Sequence, residues 1–153
     1  MESVFEQIRQ SRRAFLAMIQ PLSTAQLNRI PAGYNNNIIW NLGHIVASTV
    51  SLCYKRTNVA PGKPIPLARA YGKGTKPEAP ASEAEIEQIK QELLTSINEL
   101  ESDYQAGVFK NTTPFSTDTY KGTLSTIEEV IVCTLAHDNY HFGYASSLKK
   151  SIQ

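Results

Sequence analysis

The sequence predicts an all-α protein, a four-helix bundle with long crossover connections. Four segments carry apolar residues at helical spacing, no segment sustains the alternation of a half-buried strand, and two long connections rich in breakers or irregular in pattern separate the helices. A chain of 153 residues suits one domain spanning 1–153, long enough to bury a core without disulfides or a structural metal.

The first helix runs from about 2 to 20, with Val4, Phe5, Ile8, Phe15, Leu16 and Ile19 at near-helical spacing and a polar gap at Ser11-Arg12-Arg13; Pro21 ends it. Leu22 to Leu27 reads as a short helical turn capped by Ser23 or Thr24, and Pro31, Gly33 and Asn35-Asn36-Asn37 break the chain again. Those asparagines are good caps for a second long helix over about 38–56. Its main face is Ile39, Leu42, Val46, Val50 and Cys53, widened by Ile38, Ile45 and Leu52. Residues 57–82 hold Pro61, Pro64, Pro66, Pro77 and Pro80, so no helix is expected there. The stretch is either a crossover along the bundle or a functional flap. Lys63, Arg69, Tyr71, Lys73 and Lys76 within it suit a solvated loop or an anionic ligand.

The third helix opens with a capping box, Ser82 and Glu85, and carries Ile86, Ile89, Leu93, Ile97, Leu100 and Tyr104 as one stripe until Gly107. Residues 108–124 read as a loop with a brief extended piece. Ser125 or Thr126 caps the fourth helix, which has Glu128 and Glu129 in its first turn and Lys149 and Lys150 in its last.

The bulk numbers remove several classes of function. The net charge is +1 and no Lys/Arg run exceeds two residues, which weighs against nucleic-acid partners. No apolar run approaches the ~18 residues of a membrane span. The N-terminus has neither a basic nor an apolar signal region. Cys53 and Cys133 read as reduced, buried thiols, and the expectation is a cytoplasmic protein without a membrane partner.

What remains is the histidines. His137 and His141 are four residues apart, one turn of helix, on the side shared by Val130, Cys133, Thr134, Tyr144 and Leu148. Asn139, Glu128 and Lys149 lie away from that side. His44 stands on the polar side of the second helix with Asn37, Asn41, Ser48, Ser51 and Lys55, one turn after Trp40. Two readings of that stripe stay open: a solvated face, or the lining of a cleft. In the second, three neutral imidazoles from two helices converge on a divalent metal and leave coordination positions open.

The motifs resemble a known family. Asn37-Ile38-Ile39-Trp40-Asn41-Leu42-Gly43-His44 is similar to the second helix of the DinB-like family, where a Trp precedes a Gly-His pair. Ala136-His137-Asp138-Asn139-Tyr140-His141-Phe142-Gly143 resembles its last helix, marked by His-x3-His and Gly, and Leu22 to Asn28 resembles its link between the first two helices. Each motif is short; their order and spacing over nearly the whole chain carry the likeness. The resemblance implies an up-down-down-up bundle, often a homodimer, with nickel, zinc or a similar ion held by His44, His137 and His141. It also implies, for some relatives, S-transfer or isomerisation with a low-molecular-weight thiol such as bacillithiol, mycothiol or glutathione.

Around such a site the other residues carry two readings each. Asp138 reads as a surface salt-bridge partner, with a neighbouring helix as its other direction. Asn41, one turn before His44, is placed to orient a histidine or ligand. Tyr140 and Tyr144 read as packing or as hydrogen-bond donors, and Cys133 as a small buried hydrophobe or a fourth ligand. The expected function is a metal-dependent enzyme acting on a small-molecule substrate, an S-transferase or a hydrolase. The rivals are a non-catalytic metal- or ligand-binding stress-response module and a metal-free structural bundle.

Overall fold

The computed structural model describes residues 1–119 and 121–152; Tyr120, within the expected 108–124 connection, and Gln153 lie outside the described residues. The elements are α1 (Glu2–Ile19), α2 (Thr24–Asn28), α3 (Ile38–Val50), α4 (Ala68–Tyr71), α5 (Glu83–Gln105), β1 (Phe115–Ser116), β2 (Thr123–Leu124) and α6 (Ile127–Ile152). The fold is all-α apart from the one small antiparallel pair, which registers Phe115 with Leu124 and Ser116 with Thr123.

Local chemistry sets the helix starts. At α2, Ser23 Oγ accepts from Gln26 N at 3.2 Å while Gln26 Oε1 accepts from Ser23 N at 2.9 Å, a reciprocal capping box. Asn37 Oδ1 caps α3 by accepting from Trp40 N at 2.8 Å. Ser82 caps α5, accepting from Glu85 N at 3.2 Å, but the return half of the expected capping box is absent. The Glu85 carboxylate instead accepts from Tyr71 Oη at 2.8 Å, tying α5 to the preceding connection. Thr126 Oγ1 accepts from Glu129 N at the start of α6, and Glu129 Oε2 accepts from Ser125 N at 2.6 Å.

Two expectations need correction. The second long helix is α-helical only to Val50 and continues as a π-helical turn, Ser51–Arg56. The connection over 57–82 is not free of helix, because α4 forms one turn after Leu67, whose φ of 59° is left-handed.

Direction along the bundle follows from which residues share a core. One end joins Phe15 and Ile19 of α1, Ile38 to Val46 of α3, Ile86 to Leu93 of α5 and Ala145 to Ile152 of α6. The other joins Phe5 and Ile8, Val50 and Cys53, Ile97 and Leu100, and Ile127 to Ile131. So α1 and α6 run one way and α3 and α5 the other, giving up-down-down-up order. The α1 helix packs on α5 and α6, as does α3. Parallel α3 and α5 need a connection that travels back along the bundle, which is why 57–82 is long. That crossover covers the outward side of α3, so every residue from Ile38 to Ala47 is buried. Among the described residues, no helix is long and apolar enough to cross a membrane.

Between the two halves of the core lies Arg12 of α1, 1% exposed. Its guanidinium donates to Asp138 Oδ2 of α6 (2.7 Å), Leu93 O of α5 (2.7 Å), Ser96 Oγ of α5 (3.0 Å) and Thr49 Oγ1 of α3 (2.7 Å). One cation thus bonds all three other long helices, with the counter-ion and acceptors that a buried charge requires.

Candidate metal centre

The α3 and α6 helices are antiparallel neighbours, and that packing brings the polar side of α3 against the histidine side of α6. His44, His137 and His141 meet there. Each offers a ring nitrogen, and these nitrogens lie within 4.8 Å of one another. Ring centroids are separated by 5.3 Å (His44 to His137), 4.8 Å (His44 to His141) and 4.5 Å (His137 to His141). Tetrahedral Zn–N bonds of ~2.0–2.1 Å put ligand nitrogens about 3.4 Å apart, so a contraction of roughly an ångström by side-chain rotation closes the triangle on an ion. His44, Ser48 and Ser51 of the polar stripe line a cleft, while Lys55 at its far end is solvent-exposed.

Two of the rings are already oriented. His44 Nδ1 lies 2.8 Å from Tyr71 O, a carbonyl that only accepts, so the proton belongs on Nδ1 and Nε2 keeps its lone pair. His141 Nδ1 lies 2.8 Å from Asn41 Oδ1, with the Asn41 amide nitrogen donating to Asn37 O at 2.8 Å and to Asn36 Oδ1 at 3.2 Å. Asn41 therefore orients a histidine, as its place one turn before His44 predicts. Trp40 stacks on the His44 ring at 4.7 Å and 12° and holds its own Nε1–H on Ala70 O and Thr75 Oγ1. Gly43 makes the Tyr71 contact possible: a Cβ there would lie 2.5 Å from the Tyr71 ring. The adjacent Gly43 and His44 thus work together, one admitting Tyr71 and the other donating to its carbonyl. Gly143 has no such role, since a Cβ on it would meet nothing within 4 Å.

Burial keeps the His44 and His141 rings neutral. It lowers the His44 pKa to about 4, with the Tyr71 carbonyl opposing and His137 adding to the fall. It lowers His141 to about 3, helped by His137 and then His44. Neutral imidazole is the form that ligates a metal.

The triad lines a cavity of about 210 Å³ together with Ser48, Ser51, Leu52, Arg56, Lys73, Thr117 to Thr119, Cys133 and Tyr140. The π-helical turn supplies Ser51, Leu52 and Arg56. The 57–82 connection supplies Lys73, which pairs at the rim with Asp118 from between the strands. Arg56 lies over the Phe115 ring at 4.6 Å and donates to Ser116 O. Tyr140 is exposed but touches His141 edge-on at 5.3 Å. Cys133 lines the cavity with its thiol pKa raised by burial, and its sulfur is not part of the close histidine cluster. A larger hollow of about 810 Å³, on the far side of Trp40 and Tyr71, contains none of the three histidines.

Asp138 is a correction. It is 1% exposed and points to Arg12, not to a surface partner. The signal for the burial of Arg12 was present, though not for its partner. Phe5, Ile8, Arg12, Phe15 and Ile19 are spaced as one stripe, and Arg12 occupies a core position within it. The cavity residues from the two connections gave no comparable signal, since irregular chain has no period.

No curated protein matches the chain. A family profile, that of the DinB superfamily, matches residues 7–145, a span that includes all three histidines, Trp40, Gly43 and the α6 motif. With that match over most of its length and a three-histidine cluster built from α3 and α6, the chain belongs to the DinB superfamily.

Proposed function

We propose that the protein is a metal-dependent enzyme acting on a small molecule, with His44, His137 and His141 as ligands of one divalent ion, nickel or zinc. The observation that carries this reading is the triad itself: three imidazoles converging at the wall of an open cavity, as catalytic sites require and closed structural sites do not. An ion bound there supplies Lewis acidity and lowers the pKa of a water or thiol that reaches it.

The protein's own side chains favour a small, polar or anionic substrate. Arg56 and Lys73 are the cations lining the cavity, Leu52 and Tyr140 give it an apolar wall, and Ser48 and Ser51 add hydroxyls. Transfer of a low-molecular-weight thiol is the reaction best suited to this set, with hydrolysis as the related alternative. The thiol is a co-substrate, because burial holds Cys133 in its protonated, unreactive form. One observation favours a non-catalytic metal- or ligand-binding module instead: Asp118, the one carboxylate among the described lining residues, is paired with Lys73 and offers no free general base. The proposed setting is a cytoplasmic homodimer.

Steady-state assays with several thiols and electrophiles, run with zinc or nickel and again after chelation, test the enzyme reading. Sustained turnover that disappears with the metal and in His137→Ala is expected. Metal binding without turnover for any thiol pair or ester substrate selects the non-catalytic module.

A further inference from the structure

Among the described residues, His137 Nδ1 and Asp138 Oδ1 are the buried side-chain polar atoms that lack a hydrogen-bond partner. They face each other at 4.0 Å, about an ångström beyond a hydrogen bond. Leaving either atom unpaired costs roughly 1–3 kcal/mol, so two orphans side by side need an explanation. Asp138 is not free to turn away, because Arg12 holds its other oxygen at 2.7 Å and is itself fixed by Leu93 O, Ser96 Oγ and Thr49 Oγ1.

The other two rings show what completes the arrangement. His44 and His141 each place Nδ1 on an oxygen acceptor, a carbonyl and an amide, which leaves the lone pair on Nε2; that of His44 faces the Ser48 hydroxyl at 3.2 Å. The third ring has an oxygen acceptor waiting in the equivalent place. With the His137 proton on Nε2, the Nδ1 lone pair would face a carboxylate; with the proton on Nδ1, the same pair of atoms becomes a charge-assisted hydrogen bond after a small rotation of the ring.

We infer that Asp138, clamped by Arg12, is the positioning residue that takes the Nδ1 proton of His137 as a hydrogen bond and thereby presents His137 Nε2 to the metal. The inference rests on the metal reading above and adds to it a route from the core to the site. Arg12 ties the orientation of one ligand to the packing of α1, α3 and α5, elements of which α1 and α5 contribute nothing to the cavity wall. It also gives the buried ion pair a purpose beyond stability, since an apolar pair of similar volume would hold the core as well.

The test measures zinc affinity by competition with a chromophoric chelator, in wild type and in Asp138→Asn. The amide of Asp138→Asn has one acceptor oxygen; Arg12 claims it, and the NH2 group turns toward His137 and favours the opposite tautomer. Affinity weaker by about 10- to 100-fold, with an unchanged far-ultraviolet circular dichroism spectrum, is expected. Wild-type affinity in a folded Asp138→Asn overturns the inference. Should that variant fail to fold, long-range proton–nitrogen NMR of the zinc-loaded wild-type protein decides. Zinc on Nε2 of His137 with a proton on Nδ1 supports the inference, and zinc on Nδ1 overturns it while leaving the metal centre standing. A wild-type protein that binds no zinc or nickel at all removes the metal reading, and this inference with it.

Discussion

Asp138 Oδ2 and Arg12 Nε, 2.7 Å apart in the centre of the bundle, make the most consequential single contact in the molecule. Both groups are withdrawn from water, so neither tolerates loss of the other. Arg12→Met is expected to cost about 3–5 kcal/mol in urea unfolding, because it strands a buried carboxylate. The double variant Arg12→Met, Asp138→Leu is expected to recover most of that loss yet bind zinc more weakly than wild type, which separates packing from ligand orientation. Recovery of both stability and affinity would show that Asp138 has no part in the site. The histidines set a second prediction at this scale. With folded pKa values of about 4 for His44 and about 3 for His141, against ~6.5 in the unfolded chain, the unfolded state binds more protons in between. Stability of the chelated protein therefore rises with pH through this window, and is lost as pH falls from about 6.5 toward 4. Urea midpoints between pH 7.5 and 4.5 measure it. Replacing His44 and His141 with Gln should flatten the slope; an equal slope in that variant would assign it to the carboxylates.

At the scale of elements, the α3 helix and the crossover depend on each other. Gly43 admits the Tyr71 ring, the Tyr71 carbonyl holds His44, and the Tyr71 hydroxyl reaches Glu85 on α5. Gly43→Ala in an open helix would be stabilising by up to ~1 kcal/mol. Here the added methyl overlaps the ring, and a loss of about 1–3 kcal/mol is expected together with weaker zinc binding. A more stable Gly43→Ala protein with intact affinity would contradict the coupling. The sequence made the four long helices legible because each carries an apolar stripe over many turns. It concealed α4, whose four residues between Pro66 and Gly72 are too few to show a period, and the π-helical turn, whose residues Ser51 to Arg56 also fit an α-helix. The apolar stripe of α1 is legible, but in sequence a single Arg at one of its inward positions reads as part of a polar gap. Burial of Arg12 follows from Asp138 one hundred and twenty-six residues later, a pairing that no local pattern reveals.

For the whole molecule, the up-down-down-up order places α3 beside α6 and so makes the histidine cluster possible. Periodicity identifies helices without giving their directions, so this order came from the family likeness, and the shared cores of the structure agree with it. The His-x3-His spacing on α6 was enough to pair two histidines of the cluster. The third, His44, lay on a polar stripe whose meaning depended on what the crossover covers. A metal that binds the folded state alone stabilises the whole bundle by mass action. Zinc at a thousand times its dissociation constant adds about 4 kcal/mol, a rise in Tm of roughly 8–16 °C for a chain of this size. Scanning calorimetry with and without chelator reads that shift, and an identical Tm in both would speak for a metal-free bundle.

The most direct measurement is elemental analysis of the protein, purified without chelators or a polyhistidine tag, alongside His44→Ala prepared in the same way. About one equivalent of nickel, zinc or another divalent ion in the wild type, lost in the variant, is the expected result. No metal in either protein and none taken up on titration, or the same content in both, would contradict the three-histidine centre and leave the cluster a feature of the fold.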